Sequence, residues 1–248
     1  MRANLLSTPT GHGMPPAAAE TSPARIGLTA RQDLALTAML VLLGGLAFIV
    51  TPLAALGIAI SHLLISLLAL AFSLLVILIA RNRTAALIAW TGAGSVAVST
   101  ALILLAPPVS FSATVVIHSA TALGMLICSY VIGHALFAPG PITLHRVIGA
   151  VVLYLNLALA FATLYRLLCD IFPGALQGIE VATGETQTFS ALVYFSLVTL
   201  TSTGYGDILP IHPVARSLAN LETVIGQMYP VTLVAALVTQ HLEWRHHR

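Results

Sequence analysis

Thr199-Leu200-Thr201-Ser202-Thr203-Gly204-Tyr205-Gly206-Asp207 is the stretch on whose reading the fold turns. A run of hydroxyl side chains leads into two glycines that bracket an aromatic residue, and a carboxylate closes the group. It lies between two long apolar segments, yet it is too short and too polar to cross a bilayer itself. Irregular backbone at membrane depth is tolerated only where protein buries it or an aqueous path runs beside it. The first reading of these residues is therefore the lining of a pore.

The flanking residues extend that reading. From Thr188 to Leu200 the chain is apolar over about half a membrane span, with Thr188 placed to cap a short helix. A half-helix that stops mid-membrane turns the negative end of its dipole toward the centre, where a cation is favoured. The chain must then return to the surface in extended form through Ser202–Gly206. Gly204 and Gly206 allow backbone conformations closed to other residues. Alternating such conformations can turn successive carbonyls toward one axis, replacing an ion's hydration shell.

Composition agrees with a lipid solvent. Of 248 residues, 58% are hydrophobic and 7% charged, against about 25% charged in soluble domains. Mean hydropathy is +0.98. All positive side chains are Arg, and the net charge of +2 with no basic run excludes a nucleic-acid partner. Cys128 and Cys169 form neither a C-x-x-C pair nor a disulfide framework and read as small hydrophobes. Residues 1–32, rich in Pro, Gly, Thr and Ala around Thr8 to Pro23, are expected to form a disordered cytoplasmic tail. No apolar run follows Met1 directly, so a cleaved secretory signal is not expected.

Six apolar segments follow, near Leu34–Val50, Leu53–Ala80, Ala85–Leu105, Ala113–Phe137, Val147–Ile171 and Val214–Thr239. The breaks are Thr51-Pro52, Arg81-Asn82-Arg83, Pro107-Pro108 and Pro139-Gly140-Pro141. Thr51-Pro52 is the weakest of them, because it could also kink one long segment. The fold class is thus an all-α membrane protein: six transmembrane helices, with a re-entrant pore helix and filter loop between the fifth and sixth. Residues 33–138 form a four-helix peripheral domain and 145–242 the pore domain. Within the latter lie an outer helix (145–171), an outer loop (172–187), a pore helix (188–200), a filter (201–207) and an inner helix (214–242).

With the N-terminus inside, six crossings put Arg25, Arg31, Arg81, Arg83, Arg146, Arg245 and Arg248 on the cytoplasmic side, and only Arg166 and Arg216 near the outer face. The outer loop carries Asp170, Glu180 and Glu185, an acidic mouth that would concentrate cations. The fourth segment has no Arg or Lys, so it lacks the repeated charges of a voltage sensor. Its His118 and His134 lie on roughly opposite faces and cannot form a metal pair. With His62 they read as packed membrane histidines, proton sensing being the alternative. Gly92, Gly94 and Gly133 read as close helix contacts. The sequon Asn82-Arg83-Thr84 falls on the cytoplasmic side and carries no expectation of glycosylation.

Thr199-x-x-Ser202-Thr203-Gly204-Tyr205-Gly206-Asp207, with a half-helix before it and a full span on either side, resembles the potassium-channel pore signature T-x-x-T-V-G-Y-G-D. The likeness covers roughly Val147 to Thr239; the first four spans resemble the peripheral domain of six-helix channels in topology alone. It implies potassium ions held by the carbonyls of Ser202, Thr203, Gly204 and Tyr205 and the Ser202 hydroxyl, with Gly206 and Asp207 at the outer mouth. It implies no cofactor. Gly226 stands where such channels often carry a hinge glycine. Pro230, expected to break the same helix, makes bending there the expected gate.

The chain departs from the signature at several supporting positions. Ser202 replaces Thr and Thr203 replaces Val, adding a hydroxyl that needs a partner. Tyr194 and Phe195 stand where Trp is common, and Val198 where some members place Glu, which leaves Thr199 and Asp207 with altered neighbours. A less rigidly braced filter is expected. Glu222 in the last span is expected to pair with Arg166 and pin the outer and inner helices; a protonated Glu222 bonded to the pore helix, for example at Tyr194 or Thr199, is the alternative.

One pore loop cannot surround an ion, so a fourfold homotetramer in membrane lipid is implied. No phosphate loop, H-E-x-x-H or paired nucleophile points to an enzyme. No soluble ligand domain follows Thr239 in this sequence. The expected function is a potassium-selective channel with weak voltage dependence. The rivals are a weakly selective monovalent cation channel and a non-conducting structural or sensory subunit.

Overall fold

A computed structural model describes residues 23–58, 60–79, 83–105, 111–136, 144–179 and 184–246. The expected tail contributes its last residues to a helix: α1 runs from Pro23 to Gly45, so the boundary at residue 32 is corrected, and Pro suits a first helical position because its missing N–H would be unpaired there anyway. Residues 1–22, Arg81-Asn82, Pro107-Pro108 and Pro139-Gly140-Pro141 lie outside the described residues.

The expected break at Thr51-Pro52 is not a break. A π-helical turn, Leu46–Val50, joins α1 to a short α2, Thr51–Ala55. Pro52 has no N–H for the preceding turn and its ring crowds that turn's carbonyl; one widened turn absorbs both effects. Thr51 Oγ1 donates to Ala47 O at 2.6 Å within it. The chain reverses just after, where Gly57 takes φ +74°, the left-handed conformation that ends many helices. Leu34–Ala55 is thus one apolar stretch.

Next come α3 (Ile60–Ile79), α4 (Arg83–Leu105), α5 (Phe111–Leu136) and α6 (Leu144–Ile171). α1 packs on α3 and α6, α3 on α4, α4 on α5 and α5 on α6. Met39, Leu43, Phe72, Val76, Cys128 and Ile132 lie in the shared core. Lipid tails are as apolar as these side chains, so close approach and polar links decide how such helices associate. Both kinds of contact occur. A Cβ on Gly92 would lie 2.7 Å from Ile127 and one on Gly124 2.5 Å from Ser95, so α4 and α5 meet backbone to backbone. Gly94 has no such neighbour and Gly133 only an ordinary contact. Asn156 of α6 donates to Ser129 Oγ of α5 at 2.7 Å.

On its other side α6 carries α7, the loop after it and α8. α7 spans Glu185–Leu200, starting before the expected Thr188. Thr188 is not its cap: it sits inside the first turn and donates to Gly184 O at 2.9 Å. Two short strands, β1 (Leu176–Gln177) and β2 (Leu209–Pro210), pair antiparallel with Leu176 opposite Pro210. They tie the outer loop to the segment that follows Asp207. Ile211 N donates to Ala175 O at 2.9 Å and Phe172 stacks on His212 at 4.2 Å. α8, Pro213–His246, is helical without interruption through Pro230, so the expected break there is absent.

Three helices among the described residues are long and apolar enough to cross a membrane: Leu34–Ala55, Phe111–Leu136 and Arg146–Ile171; Leu63–Ile79 and Ala86–Val98 are shorter apolar runs.

Candidate functional site

Every α-helix leaves its last four carbonyls without helical partners, and at α7 the answer shapes the site. Thr201 N donates to Leu197 O at 3.1 Å, Thr203 N to Val198 O at 2.9 Å, and Ser202 N to Thr199 O at 2.9 Å. Leu200 O accepts from the Tyr154 hydroxyl of α6 at 3.2 Å. The amides of the loop thus fold back onto the helix. Among the described residues none donates to the carbonyls of Ser202, Thr203, Gly204, Tyr205 or Gly206.

Those carbonyls sit on an alternating backbone. Ser202, Gly204 and Gly206 have φ of +56°, +53° and +82°, and Thr203 and Tyr205 between them do not. Ser202 alone among the described non-glycine residues is left-handed, a conformation costing on the order of 1–3 kcal/mol that surrounding structure has to hold. All side chains from Thr201 to Asp207 are exposed in the single chain. The site is therefore a strip of unpaired carbonyls, next to the negative end of a helix dipole, that suits a cation stripped of water.

The substituted positions find new partners. The Thr203 hydroxyl lies 2.9 Å from that of Thr201. Tyr194 stacks parallel to Tyr205 with ring centroids 6.4 Å apart, and its hydroxyl lies near the Asp207 carboxylate. Phe195 turns away from the strip and meets Tyr165 edge-on at 4.9 Å. Val198 acts through its carbonyl, which also accepts from Gly204 N at 3.3 Å. Thr199 O lies 3.5 Å from the Thr223 hydroxyl of α8.

Glu222 does not pair with Arg166. It is fully buried, accepts from the Tyr165 hydroxyl at 2.7 Å, and its other oxygen bonds Ser196 Oγ. Ser196 also donates to Ala158 O at 2.7 Å. A serine has one proton to give, so both Ser196 bonds form when Glu222 carries a proton itself. The carboxyl links the outer and inner helices α6 and α8, and α7 with them, through hydroxyls in place of the expected arginine. An ionised pair at this depth would cost more than a satisfied neutral network.

Arg166 belongs to a different cluster. It pairs with Asp170 one turn on at 3.2 Å. The other Asp170 oxygen meets His118 Nδ1 of α5, and His118 Nε2 faces Glu185 at the start of α7, 3.2 Å away. Beside them a cavity of about 110 Å³ is lined by His118, Arg166, Glu185 and Thr186 against Leu46 and Phe189. His134 is exposed beside Tyr130; the His62 side chain lies outside the described residues.

Gly226 has a packing role. A Cβ there would fall 1.8 Å from Leu200 O, so only glycine lets α8 touch the end of α7. Next to it, Gln227 Nε2 donates to Ser202 Oγ at 2.8 Å. Sequence reading missed Gln227, Ser196, Tyr165 and the role of His118. A polar Gln one residue from the candidate hinge was the available signal for the first. Nothing in sequence spacing joins His118 to Asp170 and Glu185.

Residues 150–242 match the family model described as "Ion channel". No curated protein and no solved structure matches the chain.

Proposed function

We propose that this protein is a potassium channel whose pore is built by residues 150–242, the part of the chain that matches the ion-channel family model. Four copies surround an axis, and each contributes the strip Ser202–Tyr205 to a row of potassium sites, with Asp207 at the outer mouth. The observation that carries this is the alternation of left-handed residues at Ser202, Gly204 and Gly206, on a strip whose carbonyls no described residue uses. A fourfold arrangement is supported by α8, whose exposed stripe Leu221, Val224, Met228, Val231 and Val234 has no cover within one chain.

In this reading the chain crosses the membrane six times with both termini inside, as the arginine distribution argues. The protein conducts passively and does no chemistry. The peripheral domain has no charged helix to respond steeply to voltage. α8 is continuous through Pro230 in this structure; because Gly226 is held against Leu200, a gating bend would fall at Pro230, about one turn further on, where one helical hydrogen bond is missing.

A second reading is a weakly selective cation channel, favoured by the Thr203 hydroxyl, which binds Thr201 where an apolar side chain would pack. Bi-ionic reversal potentials of the purified protein in planar bilayers decide between them. A strong potassium preference supports the first reading, equal permeability to sodium and potassium the second. Absence of any cation flux would leave only a structural or sensory role.

A further inference from the structure

The innermost side chain of the strip, Ser202, combines three features. It is left-handed without being glycine, its side chain is exposed, and its hydroxyl takes a hydrogen bond from α8, the Gln227 amide at 2.8 Å. Serine has lost the methyl that makes threonine stiff about χ1, so its hydroxyl can turn among rotamers. A β-branched residue is also poorly tolerated at positive φ. The backbone at this position favours serine, and serine then needs something else to aim its oxygen.

We propose that Gln227 is an ion-discriminating residue of this channel: it positions the Ser202 hydroxyl as the innermost ion ligand and supplies the orientation that the missing methyl would have given. The inference rests on the potassium-channel reading above. The chemistry is consistent with both roles of the oxygen. A hydroxyl oxygen has two lone pairs; one accepts from Gln227 and the other stays available to a cation. The carboxamide is uncharged, so it orients the ligand without placing a positive charge below the strip. Gln227 is held to this job by its neighbour: Gly226 presses α8 against Leu200, and with it fixes the distance from Gln227 to Ser202. Gln227 is a positioning residue, acting on the ion through Ser202.

The test uses the full chain, purified and reconstituted in planar bilayers, as wild type, Gln227→Met, Gln227→Asn, Ser202→Ala and the double variant Ser202→Ala/Gln227→Met. Methionine keeps the length and removes the donor; asparagine keeps the donor and is too short to reach. The readouts are the potassium-to-sodium permeability ratio and block by internal barium, a dication of potassium's size. Removing one such bond is expected to lower the ratio by about three- to tenfold and to weaken barium block similarly, in both single Gln227 variants. The double variant is expected to match Ser202→Ala, because the two residues act as one unit.

A Gln227→Met channel with wild-type ratio and wild-type block overturns the proposal and leaves the potassium-channel reading standing. Additive losses in the double variant overturn it too, since Gln227 would then act elsewhere. Lower melting temperature or loss of the oligomer in both Gln227 variants makes it a packing residue and also overturns it. A wild-type protein that does not discriminate between the two ions fails earlier: it removes the potassium-selective reading, and the inference with it.

Discussion

The two ends of α7 are anchored by opposite kinds of chemistry. At its start, Glu185 meets His118, which also holds Asp170, which in turn holds Arg166. At its finish hydroxyls and amides dominate: Leu200 O accepts from the Tyr154 hydroxyl, Thr199 O from a loop amide, and the Ser196 hydroxyl bonds the buried Glu222 carboxyl. A helix N-terminus welcomes carboxylates, so the charged end costs little and ties the peripheral helix α5 to the pore helix. On the channel reading proposed above, the other end presents its negative pole to a cation. A fixed Arg there would neutralise it, and neutral donors satisfy the last carbonyls without doing so.

The neutral end should be the more fragile, because Tyr165, Ser196 and Glu222 there are fully buried where three helices meet. Gly226→Val places carbon atoms inside the space of the Leu200 carbonyl. It is expected to cost about 3 kcal/mol or more and to abolish conduction; size-exclusion chromatography and thermal melting in detergent read the first effect and bilayer recording the second. A Gly226→Val protein with normal melting and normal current would show that α8 need not touch α7.

Glu222→Leu is next. It strands the Tyr165 hydroxyl in a dry setting and leaves Ser196 only its bond to Ala158 O, with an expected loss of about 2–3 kcal/mol. Glu222→Gln can donate to Ser196 and accept from Tyr165, and should stay within about 1 kcal/mol of wild type. Equal destabilisation by both substitutions would mean that Glu222 works as an anion.

The charged end should yield less, since the Glu185 side chain is 36% exposed and water screens it. His118→Leu is expected to lower stability by about 1 kcal/mol. A neutral imidazole has one N–H, so contacts to both Asp170 and Glu185 are hydrogen bonds together only on the imidazolium. Arg166 is the other charged group in the cluster. A His118→Leu protein that melts at the wild-type temperature would remove His118 from the account.

Tyr194→Phe is the smallest change. It removes the hydroxyl from Asp207 and keeps the stack on Tyr205, so a loss of about 0.5–1 kcal/mol should show as faster decay of potassium current in bilayers. Unchanged current would place the bracing of the outer mouth in the β1–β2 pair alone.

Much of this was legible from local sequence. The polar stretch between apolar segments, its two glycines and the half-helix before it announced a pore loop, because backbone at membrane depth has few permitted forms. Positive φ was readable at Gly204 and Gly206, where residue type reports conformation directly. Ser202 gave no such signal, since its conformation is imposed by surroundings. The misplaced break at Pro52 has a similar cause: proline forbids one hydrogen bond, and whether the chain stops or widens by a turn depends on what packs beside it.

Sequence by itself determined the apolar segments and the position of the strip, both of which follow from residue type and spacing. Tertiary structure alone decided the partners: Glu222 with Tyr165 and Ser196 in place of Arg166, Gly226 as a contact with Leu200, and Gln227 on Ser202. The physical reason is common to all three. A buried polar group must find a partner within about 3 Å, and the candidates at that distance come from helices whose rotation and depth no local pattern encodes.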